Sequence, residues 1–219
     1  MTPHIYREKE LVELLGAARQ LGPPGSLRAA VMETLFGLLA CAGLRISEAL
    51  ALRDADVDLK SGALTILQSK FGKSRLVPLH PSAVDALARY RAQRGRYIRT
   101  TAQTPFFVTT RGRLMGQPVS DRQAHRIFDK LRQQLGWIDR GGHGAPRVHD
   151  LRHSLAVRRL LQWHEQGLDL NQRMLALSTY LGHAKISNTY WYLTGVPELM
   201  SLIGKRFESF VDPWEDGDE

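Results

Sequence analysis

The chain has 219 residues, 43% hydrophobic and 24% charged, a composition that suits one or two compact domains and excludes disorder as the default reading. No apolar run approaches the roughly 18 residues of a membrane span, and the start MTPHIYREKE has no apolar secretion core, so the reading is cytoplasmic with no membrane partner. Thirty Lys and Arg against 22 Asp and Glu give +8, which favours a polyanionic partner, nucleic acid before an anionic membrane surface.

Five of the acids, Asp212, Glu215, Asp216, Asp218 and Glu219, crowd into a tail at 211–219 that has no base and reads as disordered. The 30 bases then face 17 acids, and residues 1–210 carry +13. The single cysteine, Cys41, has no internal disulfide partner, and its setting in LFGLLACAGL reads as a buried structural thiol.

In chain order, Leu11, Leu14, Leu15, Ala18 and Leu21 recur at spacings of three and four, which predicts an amphipathic helix over 8–21, stopped by Gly22, Pro23, Pro24 and Gly25. Ser26 offers an N-cap to LRAAVMETLFGLLACAG, apolar nearly all round and so expected as the central buried helix, with Gly43 as its left-handed end. Arg45 opens another helical stretch, ISEALAL. The period then shortens: ALTILQ and SRLVPL, with ADVDL before them, predict a small antiparallel sheet whose second turn, residues 69–74, carries Lys70 and Lys73.

Pro81 opens a helix through about Arg94. In and just beyond it the run RYRAQRGRYIR presents Arg89, Arg91, Arg94 and Arg96 as candidate phosphate contacts, alongside Lys73; a solvated face is the equal alternative. PFFVTT reads as a short strand or a buried extended segment. Helix is expected again from Val119 to Leu135, from Val148 through Leu155, after an Asp169 or Asn171 cap as far as Gly182, over Thr189 to Leu193, and in a last amphipathic segment at 197–210. The fold class is α+β, mainly helical, with a small antiparallel sheet.

HDLRH at 149–153 spaces His149 and His153 as i, i+4, a metal-pair spacing. A zinc hydrolase would want a glutamate after the first histidine, whereas Asp150 is shorter and Arg152 would set positive charge beside a cation. Arginine between histidines suits a phosphate better, because a guanidinium grips phosphate oxygens in pairs and imidazoles move single protons.

Taken in order, GLRISEAL, the lysine-bearing turn before RLVPL, HDLRH and LGHAKISNTYWY make residues 5–210 resemble the catalytic domain of the tyrosine recombinases, or phage-type integrases. The resemblance implies a DNA strand-breaking and rejoining enzyme that needs neither cofactor nor metal. It implies Arg45 and Arg152 as clamps on the scissile phosphate, Lys70 as donor to the leaving 5′ oxygen with Lys73 as competitor, and His149 as proton acceptor. His183 would hydrogen-bond the phosphate, and Tyr192, nine residues after His183, would be the nucleophile in place of Tyr190. Glu48, one turn from Arg45, could orient a basic group or be an exposed helix glutamate, and His153 reads as a supporting or core histidine.

By the same resemblance the partner is double-stranded DNA, on which the protein self-associates, as a tetramer, through exchange of the 197–210 helix. The family's usual N-terminal core-binding domain is expected to be absent from this chain. A catalytically silent DNA-binding module of the same fold, and a metal-dependent hydrolase, are the other readings of the same residues.

Overall fold

The computed structural model describes residues 3–67, 74–137, 144–183 and 185–195. These divide into two units, one over residues 3–155 and a second from Ala156 onward, with the division inside a helix.

The first unit is built around the apolar helix. Helix α1 (Glu8–Arg19) and α2 (Leu27–Ala42) are joined by the glycine- and proline-rich stop, and Ser26 caps α2 by accepting from the Ala29 N–H at 3.3 Å. Val31, Leu35, Phe36, Leu38 and Leu39 are all buried, since α2 packs against α1, against α3 (Ile46–Ala51) and against α4 (Pro81–Gly95). α5 (Asp121–Gln134) joins this core through Phe128, which meets Phe36 edge to face at 5.7 Å. Gly43 ends α2 at φ +61°, the left-handed region where a side chain is strained. Cys41 departs from expectation in part: the residue is exposed on α2, but its thiol donates to the Leu38 carbonyl at 3.6 Å and burial pushes its pKa up to about 11.

Strands β1 (Val57–Asp58), β2 (Ala63–Ile66) and β3 (Arg75–Pro78) form an antiparallel sheet in the order β1-β2-β3, with Leu64 opposite Val77 and Ile66 opposite Arg75. Leu64, Ile66 and Val77 face the core. Residues 68–73, with Lys70 and Lys73, lie outside the described residues, as do the expected 197–210 helix and the acidic tail. PFFVTT is the buried extended segment of the two forms expected. Phe106, Phe107 and Val108 are fully buried, with single bridges Arg53 to Pro105 and Val108 to Pro118 in place of a ladder.

That segment explains why part of the arginine run is not surface. Arg94 is 0% exposed: its Nη1 donates to the Pro105 and Phe106 carbonyls at 3.0 and 2.7 Å, and its Nη2 pairs with Asp54 at 2.6 Å. Arg91 donates to the Asp54 and Val57 carbonyls, and its Nε lies 3.0 Å from Asp54 Oδ1, an ion pair without hydrogen-bond alignment. Arg91 and Arg94, expected as phosphate contacts, are therefore corrected to structural residues: Arg94 satisfies carbonyls of the buried extended segment, and Arg91 those of Asp54 and Val57. Arg89 and Arg96 are exposed.

The N-terminal segment is tied to the first turn of α6 (Asp150–Glu165). The Tyr6 N–H donates to Ser154 Oγ at 2.8 Å and the Tyr6 hydroxyl to the Arg147 carbonyl at 3.0 Å, while the ring lies against Trp137 and His4.

The second unit comprises the rest of α6, α7 (Leu170–Leu181) and α8 (Ser187–Gly195). Asp169 caps α7 by accepting from the Asn171 N–H, and Gly182 closes it at φ +69°. No helix among the described residues is long and apolar enough to cross a membrane.

Candidate active site

In the first unit the left-handed end of α2 does the positioning. The turn at Gly43 aims its carbonyl at α6, where buried Arg152 donates Nη1 to it at 2.6 Å. Two residues on, Arg45 is the N-cap of α3, so one tight turn fixes both guanidinium-bearing segments.

Glu48 is buried at 8% exposure, against the alternative of an exposed helix glutamate. Its Oε2 accepts from the Arg45 N–H at 3.0 Å and its Oε1 from Arg45 Nη1 at 2.8 Å. On the other side Arg75, first residue of β3, donates Nη1 to Oε1 at 3.0 Å and Nη2 to Oε2 at 2.8 Å. Burial alone would raise the Glu48 pKa. The hydrogen bonds from Arg75 and the Arg45 N–H, with the charges of both arginines, outweigh it and hold the carboxyl at about 2.

His149 is exposed, in the turn before α6, and meets the half-buried His153 edge to face at 4.7 Å. Lost hydration and the Arg152 cation push the His149 pKa below the ordinary imidazole value, with Arg147 and Arg45 adding to the effect and Asp150 opposing it. His153 falls further, to about 4, through burial and the charge of His149. Both shifts favour the neutral imidazole, the state in which a histidine can accept a proton. Buried Asp150 fixes the turn, accepting from the Arg147 N–H, Nε and Nη2.

In the second unit the left-handed Gly182 delivers His183, whose Nδ1 lies 2.7 Å from the fully buried Thr189 hydroxyl. When that hydroxyl donates, Nε2 carries the proton and can donate to a phosphate oxygen. The Tyr192 ring lies nearly parallel to the His183 ring, centroids 6.3 Å apart, and is 1% exposed. Tyr190 and Trp191 are on the open side of α8 at 37% and 41%.

The structure thus gathers Arg45, Glu48, His149, Arg152 and His153 within residues 3–155, and His183 with Tyr192 within the second unit. Lys70 and Lys73 lie outside the described residues. Among the described residues no three His, Cys, Asp or Glu side chains are grouped as metal ligands.

Sequence reasoning missed Arg75, Thr189, and an exposed basic stripe on α5 made by Arg122, Arg126 and Lys130 at four-residue spacing. That spacing was the available signal for the stripe. Nothing local marked Arg75, which reaches Glu48 across 27 residues.

The helical fold with its three-stranded sheet is that of recombinase catalytic domains. It matches the solved XerA recombinase (TM-score 0.68, 23% identity, 94% of this chain and 64% of that one). It also matches XerH site-specific recombinase bound to its palindromic difH substrate (0.66, 22%, 99% and 54%).

The sequence model of the phage integrase family matches residues 5–196, and the chain belongs to that family. Its relatives include y4rB of Sinorhizobium fredii (strain NBRC 101917 / NGR234), whose name describes an integrase/recombinase, 38% identical over 98% of this chain and 67% of that protein. Tyrosine recombinase XerC of Thermodesulfovibrio yellowstonii (strain ATCC 51303 / DSM 11347 / YP87) is 33% identical over 73% of this chain and 48% of its own. The chain spans about half to two thirds of the length of these relatives.

Proposed function

We propose that this chain is the catalytic part of a site-specific DNA recombinase. The observation that carries the reading is the cationic turn that brings Arg45 and Arg152 into the field of His149, Arg45 gripped by Glu48 and Arg152 by the Gly43 carbonyl. Such a site stabilises extra negative charge on a phosphorane with no demand for a metal.

Tyrosine has a pKa near about 10, so attack at neutral pH needs a base and a positive field. The Tyr192 oxygen bonds to phosphorus as its proton passes to His149. The bond from phosphorus to the 5′ oxygen breaks, and Lys70 protonates that oxygen. His183, with Thr189 donating to its Nδ1, hydrogen-bonds the phosphate. The 3′-phosphotyrosyl link retains the energy of the phosphodiester, and attack by another 5′ hydroxyl rejoins the strand without ATP.

Arg89, Arg96 and the α5 stripe supply duplex contacts, with Lys73 as a further candidate. Self-association on DNA, as a tetramer through the 197–210 segment, completes the reading, in the cytoplasm where the DNA is.

The test is a pool of duplexes of randomised sequence carrying a 5′-bridging phosphorothiolate, whose departing thiolate cannot religate efficiently. A covalent adduct on a denaturing gel, formed in chelator, lost in Tyr192→Phe and kept in Tyr190→Phe, is the expected result. An adduct surviving Tyr192→Phe sinks the nucleophile assignment. Binding with no adduct from any duplex favours the catalytically silent module.

A further inference from the structure

A phosphate clamp made of arginine faces an electrostatic difficulty when a carboxylate is its orienting group. Arg45 paired with Glu48 alone is neutral, and a neutral pair has little to offer a phosphorane. Arg75 changes that balance. It meets both Glu48 oxygens with side chains only 9% and 5% exposed, so the buried triad carries one net positive charge. The four N–H groups from Arg45 and Arg75 also fill about four lone-pair sites, all that a carboxylate has. Glu48 is therefore saturated: it can orient a neighbour but has no acceptor left for a proton from substrate.

We propose that Arg75 is a positioning residue for strand cleavage, offsetting the charge of Glu48 so that Arg45 faces the phosphate as a full cation in a fixed orientation. This rests on the recombinase reading above. Arg75 is also the first residue of β3, the strand that follows the Lys70 segment in the chain, so Arg45 is fixed from the same strand that leads out of that segment.

The distinguishing experiment compares Arg75→Gln, Arg75→Lys and the double variant Glu48→Gln with Arg75→Gln, using single-turnover adduct formation on the phosphorothiolate duplex selected by the unmodified chain. Arg75→Gln should slow adduct formation about a hundredfold while duplex affinity changes little. Arg75→Lys keeps the charge without the two-point grip and should fall between. The double variant removes the carboxylate charge together with the compensating cation, and should run about tenfold faster than Arg75→Gln alone. A purely structural role predicts the reverse, since two substitutions in one buried network damage packing at least as much as one.

Arg75→Gln reacting at the unmodified rate, or a double variant no faster than Arg75→Gln, overturns the proposal. A second readout is independent of catalysis: the Arg45 Nε–Hε resonance of the whole chain. It should report an ordered guanidinium in the unmodified protein and in Arg75→Lys, and an averaged one in Arg75→Gln. If the unmodified chain forms no adduct with any duplex, the recombinase reading fails and this resonance decides the coupling; an unchanged signal in Arg75→Gln overturns it.

Discussion

At the residue scale, one device recurs. In Arg7 to Glu10, Arg45 to Glu48, Arg53 to Asp56 and Arg147 to Asp150, the acid accepts the backbone N–H of an arginine three residues earlier. Each closes a helical or 3-10 turn, and two of the four serve the candidate site. The pattern is written plainly as REKE, RISE, RDAD and RVHD, and i, i+3 neighbours are the pairs a sequence shows best. Contacts that join distant positions, Arg75 with Glu48 above all, had no such local mark.

Two acid-sensitive groups sit here and should separate by pH. The depressed histidines bind protons more tightly in the unfolded chain, so native stability falls as pH drops from about 6.5 through the His153 value of about 4. Glu48, depressed to about 2 from 4.5, removes stability only as pH falls below about 4.5. Thermal melts across pH should flatten above about 4.5 in His153→Asn and below it in Glu48→Gln; interchanged windows would contradict both assignments. Thr189→Val removes the partner of His183 Nδ1 and should slow adduct formation about fivefold, the worth of roughly 1 kcal/mol.

At the scale of elements, α4 has two faces that composition could not separate. Arg94→Ala strips a cation from a buried pair and takes the guanidinium from the Pro105 and Phe106 carbonyls, of which Phe106 keeps the Tyr90 hydroxyl, and should cost about 3 kcal/mol on a denaturant curve. Arg89→Ala and Arg96→Ala should stay within about 0.5 kcal/mol of the parent, while each lowers the salt slope of duplex binding by about 1. Equal stability losses for all three would refute this division. In α2, Gly37 is a mid-helix glycine where an added methyl meets the two Leu15 methyls at 3.7 and 4.0 Å, ordinary contact distances, so Gly37→Ala should stabilise by about 0.5–1 kcal/mol.

Caps and stops were legible because they are local: Ser26, Gly43, Asp169 and Gly182 each act where the sequence suggested. The arginine run was misread in part because what buries Arg94 is Asp54, 40 positions away, together with the carbonyls of a segment that forms no strand.

Over the whole molecule the charge divides by task. Of the 30 basic side chains, Arg91 and Arg94 are spent on structure and Arg75 on compensating a carboxylate, so the net charge overstates what a duplex can meet. The α5 stripe, Arg89 and Arg96 are exposed and stay available for that contact. Binding to duplex should still weaken steeply with salt, since contact with phosphates releases counterions.

The tie between Tyr6 and α6 has a mechanical consequence. The backbone N–H of Tyr6 holds Ser154, whose hydroxyl donates to the Asp150 carbonyl at 2.7 Å, and the Tyr6 hydroxyl holds the carbonyl of Arg147. These bonds bracket the turn bearing His149 and Arg152. A pull or twist on the backbone at residue 6 is therefore passed through these bonds to the HDLRH turn, and any polypeptide joined upstream would have a handle on the candidate site.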